Sequence, residues 1–182
     1  MKAKLIALTV LTIVAFTSQA QTKYFTKKGK IVFRSETNME TIEATNDRVT
    51  SMLEVESGKL EFAAAITAFE FEKALMQEHF NEDYMESKKF PKASFKGTIT
   101  DMNTVDLKKD GTYPVTVKGD LTMHGVTKNI TEKGTITVKG GKISAAANID
   151  VKCKDYNIKA PSKVAEVIQV KINIASYEPF KK

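Results

Sequence analysis

Phe90–Gly97 (FPKASFKG) and Gly119–Lys128 (GDLTMHGVTK) are the two segments of this sequence that decide the fold. Around the start of the second segment, apolar residues recur at every second position, all of one parity: Val115, Val117, Leu121 and Met123. A period of two is typical of a strand with one dry and one wet face. Gly119 interrupts the dry row, and a missing side chain there indicates a bulge, a bend or a close approach of another backbone. The pattern predicts a curved antiparallel β segment.

Turn signals divide the chain into similar alternating runs. Lys109–Thr112 (KDGT) contains Asp-Gly, which readily adopts the positive φ values of a type I′ turn, so the sequence predicts a tight hairpin there. Gly140-Gly141 predicts a second hairpin, and Ser57-Gly58 a further turn. The alternating runs lie at residues 30–34, 49–56, 60–67, 95–99, 115–123, 129–138, 143–153 and 168–174. Residues 35–47 are polar and ambiguous.

One segment changes period. Glu72–Glu82 lacks Gly, Pro and β-branched residues, and its apolar residues fall on one helical face, which predicts a helix of about three turns. Eight strands with one dry face must bury that face, and a single helix cannot cover it. We therefore expect an all-β fold, an eight-stranded antiparallel β-barrel with one short α-helix near one end. The helix either plugs that end with Leu75, Met76 and Phe80 or acts as a lid, and the two roles are compatible.

The two opening segments together resemble the signature of the YceI-like family of bacterial envelope proteins, from about Tyr24 to Tyr177. The resemblance implies a lipocalin-like barrel around an elongated apolar cavity that binds polyisoprenoid or other long-chain amphiphiles. It implies no catalytic residue and no cofactor.

Residues on the dry parity are the candidates for the barrel lumen. The predicted ligand-binding residues are Phe62, Ala64, Ile66, Met76, Phe80, Phe95, Ile99, Val117, Leu121, Met123, Ala145, Ala147, Ile149 and Ile172. A barrel of eight strands either fills its lumen with side chains or holds one small ligand. Small inward residues favour a groove, whereas larger neighbours could fill the same space. Parity leaves both alternatives open, and the resemblance favours a cavity.

Few residues are candidates for polar chemistry. His124 is the head-group candidate, with a structural role in a turn as its alternative. The sequence contains only two histidines and one cysteine, which does not make the usual metal-ligand set, so we expect no metal. Cys153 lies on the dry parity and is predicted to be a buried hydrophobe. No nucleophile elbow or phosphate-binding loop occurs, so we expect a binding protein and not an enzyme.

The N-terminus predicts export. Lys2 and Lys4 precede an apolar run from Leu5 to Phe16, followed by Thr17–Ala20 (TSQA), which is typical of a signal peptide cleaved after Ala20. The run is shorter than the roughly 20 residues that a spanning helix needs. Cleavage would leave residues 21–182 as one barrel domain without a transmembrane segment, in the periplasm or secreted.

The charge balance bears on partners. The net charge is +6, and dispersed basic residues without a stripe argue against nucleic-acid binding. We expect a long-chain lipid or isoprenoid as the partner, and the sequence leaves a homodimer open. Two other hypotheses are a packed-core envelope protein that acts through its surface and, third, a lipid-directed hydrolase or isomerase with His79 or His124 as general base.

Overall fold

The structure is a computed structural model that describes residues 23–180. Its nine strands are β1 (Lys23–Glu36), β2 (Thr41–Glu54), β3 (Lys59–Ala65), β4 (Glu70–Phe71), β5 (Lys92–Ile99), β6 (Gly111–Met123), β7 (Val126–Lys139), β8 (Lys142–Lys152) and β9 (Val167–Pro179). The helix α1 (Ala74–His79) continues into a π-helical turn, Phe80–Tyr84. The predicted signal peptide lies outside the described residues.

Eight of the strands close into a barrel. The neighbours follow the order β1, β9, β8, β7, β6, β5, β3, β2, and pairing of β1 with β2 completes the circle. Each of these pairings is antiparallel. The two-residue β4 adds to β2 at Ala44 and Thr45 and stands outside the circle. The predicted eight-stranded barrel with one short helix is therefore confirmed.

The barrel has two unlike ends. The upper end, as we name it, carries the turn 37–40, the helical segment 66–91, the hairpin 124–125 and the segment 153–166. The lower end carries the turn 55–58, the connection 100–110 and the hairpin 140–141.

One predicted hairpin is wrong. Asp110-Gly111 does not form a two-residue turn, because β5 ends at Ile99 and an eleven-residue connection with a 3₁₀ turn at Met102–Thr104 leads to β6. Gly111 is not among the glycines with positive φ in residues 23–180. The physical reason lies in the connection itself, since its Met102 is buried in the core of the lower end. Burial of the Met102 side chain outweighs the local preference of Asp-Gly for a tight turn.

The second predicted hairpin is confirmed. Gly140 and Gly141 have φ values of 56° and 74°, as a type I′ turn requires. The Gly140 N–H donates to the Asp110 carboxylate at 2.9 Å. The Asp-Gly pair thus supports a neighbouring turn instead of forming its own.

Gly119 marks a close approach between strands. It stands opposite Gly97 in the β5–β6 ladder. A Cβ added to Gly119 would lie 2.4 Å from the Gly97 Cα and 2.8 Å from the tip of the Phe95 ring. The ring therefore lies over the two bare glycine backbones, so the gap in the dry row reflects close approach and not a bulge.

Several element bounds differ from the sequence prediction, among them the start of β2 and the extent of the helix. β2 begins at Thr41, inside the stretch left ambiguous, because its polar residues pair with β1 from Ile31–Asn46 to Glu36–Thr41. The predicted helix over Glu72–Glu82 is shorter as an α-helix and ends as a π turn at Tyr84. The polar residues at the start of β2 form a strand because they pair with β1, and their local composition alone does not predict this.

Candidate functional site: an apolar cavity inside the barrel

The lumen holds a cavity of about 650 Å³, lined mainly by apolar side chains. All fourteen apolar residues predicted for the lumen lie on its wall: Phe62, Ala64, Ile66, Met76, Phe80, Phe95, Ile99, Val117, Leu121, Met123, Ala145, Ala147, Ile149 and Ile172. For most of them this placement follows from strand geometry, because side chains of one parity point to one side of a closed sheet. Met76 and Phe80 come from the helical segment, and Ile66 from the 3₁₀ turn after β3. Whether they contact a ligand stays a prediction.

The floor of the cavity is a packed core at the lower end. Leu53, Ile136 and Ile174 are at most 2% exposed and belong to a cluster that also contains Met102 and Tyr177. The Tyr177 hydroxyl lies 2.7 Å from the Ser51 hydroxyl. Burial raises the pKa of Tyr177 to about 12, although the hydrogen bond to Ser51 opposes the rise. The floor is therefore solid, and its buried phenol has a partner.

The upper half is hollow because small residues stand on neighbouring strands. Ala147 on β8 pairs with Gly134 on β7 and with Ile172 on β9. Apolar residues at this level, including Leu121 and Ile149, are only half-buried, although they share the parity of buried residues below them. The space beside these half-buried side chains belongs to the cavity of about 650 Å³.

Four phenylalanines support the helical segment over the upper end. Phe80 packs against Phe33, Phe69 and Phe71 with ring centroids 5.0–5.5 Å apart. Phe33, Phe69 and Phe71 also line the cavity, and the sequence prediction missed all three. Phe33 had the right parity in its run, whereas Phe69 and Phe71 lie in the irregular 66–71 segment, where no period identifies them.

The upper opening has a polar rim. His79 Nδ1 lies 2.6 Å from the Asp83 carboxylate, and Lys73 Nζ lies 3.4 Å from the Glu40 carboxylate. Leu75, on the same helix as His79, is 63% exposed and lies beside the opening. The helix therefore covers the end with Met76 and Phe80, as the plug hypothesis expects, while Leu75 faces outward.

His124 does not line the cavity. It has φ 50° in the β6–β7 hairpin, followed by Gly125 at φ 75°. Its Nδ1 lies 2.9 Å from the Tyr156 carbonyl oxygen and its Nε2 lies 3.2 Å from the Glu86 carboxylate. The Phe90 ring packs edge-on against the imidazole at 4.8 Å. These contacts fit the structural alternative and give the head-group prediction no support.

The remaining candidate groups are readily placed. Cys153 is buried, its Sγ donates to the Ala165 carbonyl oxygen at 3.6 Å, and burial raises the pKa of its thiol. This agrees with the predicted buried hydrophobe. Within residues 23–180, no group of three His, Cys, Asp or Glu side chains could hold a metal ion. In the same range, no helix is both long and apolar enough to cross a bilayer.

Curated relatives match part of the chain. A UPF0312 protein of Pseudomonas putida GB-1 is 31% identical over 98 residues, which is 50% of this chain and 47% of the relative. A UPF0312 protein of Pseudomonas fluorescens SBW25 is 29% identical over 100 residues, or 52% of this chain and 48% of the relative. The chain thus spans about half the length of the curated relatives it matches.

Solved structures share the fold. A polyisoprenoid binding domain from Saccharophagus degradans, implicated in plant cell wall breakdown, superposes with a TM-score of 0.75 at 12% identity, covering 88% of this chain and 99% of that domain. Burkholderia cenocepacia BcnA gives a TM-score of 0.63 at 16% identity, over 83% of this chain and 96% of BcnA. The sequence model of the YceI-like domain matches residues 16–176. The chain belongs to the YceI-like family.

Proposed function

We propose that this protein binds one long-chain amphiphile, a polyisoprenoid or a fatty-acid-like lipid, with its tail in the barrel cavity. The observation that carries the proposal is the apolar cavity of about 650 Å³ above a solid floor. Ligand sites in proteins are concave, mostly apolar and of this size. An apolar lumen with polar groups at its margins suits a molecule whose tail is buried and whose other end is polar.

Burial of the tail supplies the affinity. Each methylene group moved from water into the cavity contributes roughly 0.8 kcal/mol before the cost of ordering the chain. The description of the Saccharophagus degradans domain as polyisoprenoid binding supports the ligand class for this chain. Binding needs no covalent step, so we propose a carrier or sequestering protein and not an enzyme. We further propose, from the predicted signal peptide, that this role lies outside the cytoplasm.

A matched pair of alanine variants on neighbouring strands tests the proposal. Ala147 on β8 lines the cavity and is half-buried, whereas Ala175 on β9 is exposed and does not line the cavity. Ala147→Phe should fill the cavity and lower the loading of hexadecanol or a polyisoprenol about tenfold or more, because the tail loses room for several methylenes. Ala175→Phe should load like the parent chain.

Native mass spectrometry of delipidated protein mixed with each probe gives the bound fraction, and circular dichroism shows that both variants fold. If the parent chain takes up neither probe, or if Ala147→Phe loads as well as Ala175→Phe, the proposal is wrong.

A further inference from the structure

Strands β7 and β8 are neighbours over only part of their length. Their ladder has six pairs and stops at Gly134–Ala147. Above this point β7 continues to Val126 beside β6, and β8 continues to Lys152 beside β9. A Cβ on Gly134 would lie 2.9 Å from the Ala146 carbonyl oxygen, so the strands are in tight contact where the ladder ends. The upper wall is therefore divided between these two strands.

A second cavity of about 230 Å³ lies in this division, and we name it the side cleft. Its wall shares five residues with the main cavity: Leu121, Ile130, Glu132, Ile149 and Val151. Asp155 and Tyr156, from the 3₁₀ turn Cys153–Tyr156, line it as well. The shared residues place the side cleft directly beside the apolar lumen.

Two polar side chains in the inner part of the side cleft have no partner within residues 23–180. Glu132 is half-buried and Tyr156 is 4% exposed, and neither side chain makes a hydrogen bond in that range. Burial raises the pKa of the Glu132 carboxyl, and the Asp150 carboxylate adds to the rise. Burial also raises the pKa of the Tyr156 hydroxyl, with smaller contributions from Asp155 and Glu132. Among the described residues, only Asn81 has a fully buried side-chain polar atom without a hydrogen-bond partner, so the oxygens of Glu132 and Tyr156 keep contact with the space of the side cleft and are open to a polar group that enters it.

At the upper opening, His79 and Asp83 are paired with each other, and Glu40 is paired with Lys73. The rim of the side cleft carries two exposed lysines and two exposed aspartates, Lys128, Lys152, Asp150 and Asp155, whose charges balance. The inner groups therefore decide what charge the side cleft accepts.

We infer that the side cleft binds the polar end of the amphiphile whose tail lies in the main cavity, and that this end is an uncharged hydroxyl or carbonyl group. The inference rests on the proposed function. The Tyr156 hydroxyl can donate to the oxygen of such a group, and the Glu132 carboxylate can accept from a hydroxyl. A carboxylate end would instead meet Glu132, with Asp150 close to it, in a poorly solvated space where like charges repel strongly.

The location is tested on the parent chain with two photoreactive forms of hexadecanol, one labelled beside the hydroxyl and one at the far end of the tail. The hydroxyl-end label should attach to residues 128–132 and 149–156, and the tail-end label elsewhere in the lumen. Attachment of the hydroxyl-end label to residues 37–40 or 73–84 would overturn the inference. If neither form binds, the proposed function is wrong as well. If both forms bind but the hydroxyl-end label attaches elsewhere, only the inference about the side cleft is wrong.

The charge preference is tested with hexadecanol and hexadecanoic acid. Glu132→Gln should raise the affinity for the acid about threefold or more, because one repelling charge is removed, and should change hexadecanol affinity less than about twofold. Tyr156→Phe should lower hexadecanol affinity about three- to tenfold through loss of one hydrogen bond. Glu61→Gln, on the outer face of β3, is the control and should change neither. Equal responses to Glu132→Gln and Glu61→Gln with the acid would contradict the inference.

Discussion

The lower and upper halves of this barrel are built from the same strands and end in different interiors. On β9, Ile174 is buried in the lower core, while Ile172, on the same face, is half-buried beside the cavity. On β7, Ile136 is buried and Ile130 is half-buried in the same way. Alternation therefore decides which residues face inward. The sizes of the residues on the facing strands decide whether the inside is solid, so one sheet can hold both the stabilising core and the binding space.

The largest expected effect separates the two halves by stability. Ile136→Ala removes a side chain that is 1% exposed and should lower the free energy of unfolding by about 2–5 kcal/mol, because it leaves a void in packed surroundings. Ile172→Ala makes the same change beside existing space and should cost only about 1 kcal/mol, the transfer term without a new enclosed void. Urea unfolding of delipidated protein measures both. Equal losses would mean that the upper half is packed as tightly as the lower.

The second expected effect concerns the floor between the halves. The pKa of Tyr177 is raised from an ordinary 10.0 to about 12, so the folded state keeps a proton that the unfolded state releases at lower pH. The stabilisation is complete below about pH 10 and is lost as the pH rises to about 12, to the extent of roughly 2–3 kcal/mol.

Tyr177→Phe isolates this contribution from the titration of lysines and other tyrosines. Unfolding free energies measured in urea across this pH range should fall more steeply for the parent chain than for Tyr177→Phe. Parallel slopes would show that the Tyr177 phenol is not buried in the floor as described.

The smallest expected effect tests the β6–β7 hairpin at the upper end. His124→Ala removes the contacts of the imidazole with the Tyr156 carbonyl and the Glu86 carboxylate and should lower the free energy of unfolding by about 1–2 kcal/mol. Hexadecanol affinity of the folded variant should stay within about twofold of the parent, because the side chain does not line the cavity. A large loss of affinity without a loss of stability would restore His124 as a ligand contact.

The sequence predicted the parts of this molecule that depend on period. Strand parity placed twelve of the fourteen predicted residues on the cavity wall, the helical period placed Met76 and Phe80 there, and Gly140-Gly141 predicted its hairpin, because all three signals are local. The hairpin prediction at Asp110-Gly111 was wrong because Met102, in the same connection, is buried in the lower core. Such burial depends on residues that are distant in the sequence. Phe69 and Phe71 were missed because they precede the helix in a segment with no period.

The side cleft had no signal in the sequence. The dry row from Ile143 to Cys153 is unbroken, and nothing in it indicates that the pairing of β8 with β7 ends after Ala147. Strand separation depends on how the whole barrel closes, which no single run determines. Parity also does not predict where along the barrel the packed core ends and the cavity begins. This depends on which small residues lie opposite each other on neighbouring strands.

The contact between Phe90 and the β6–β7 hairpin has a consequence for ligand prediction. A Cβ on Gly125 would lie 2.6 Å from the Phe90 ring, so this aromatic ring and the bare hairpin are shaped to each other. Phe90, His124 and Gly125 thus have a structural role. Two proteins could share these three residues and still bind different ligands, because the cavity wall also contains Ala145, Ala147 and Ile149, which lie outside both segments.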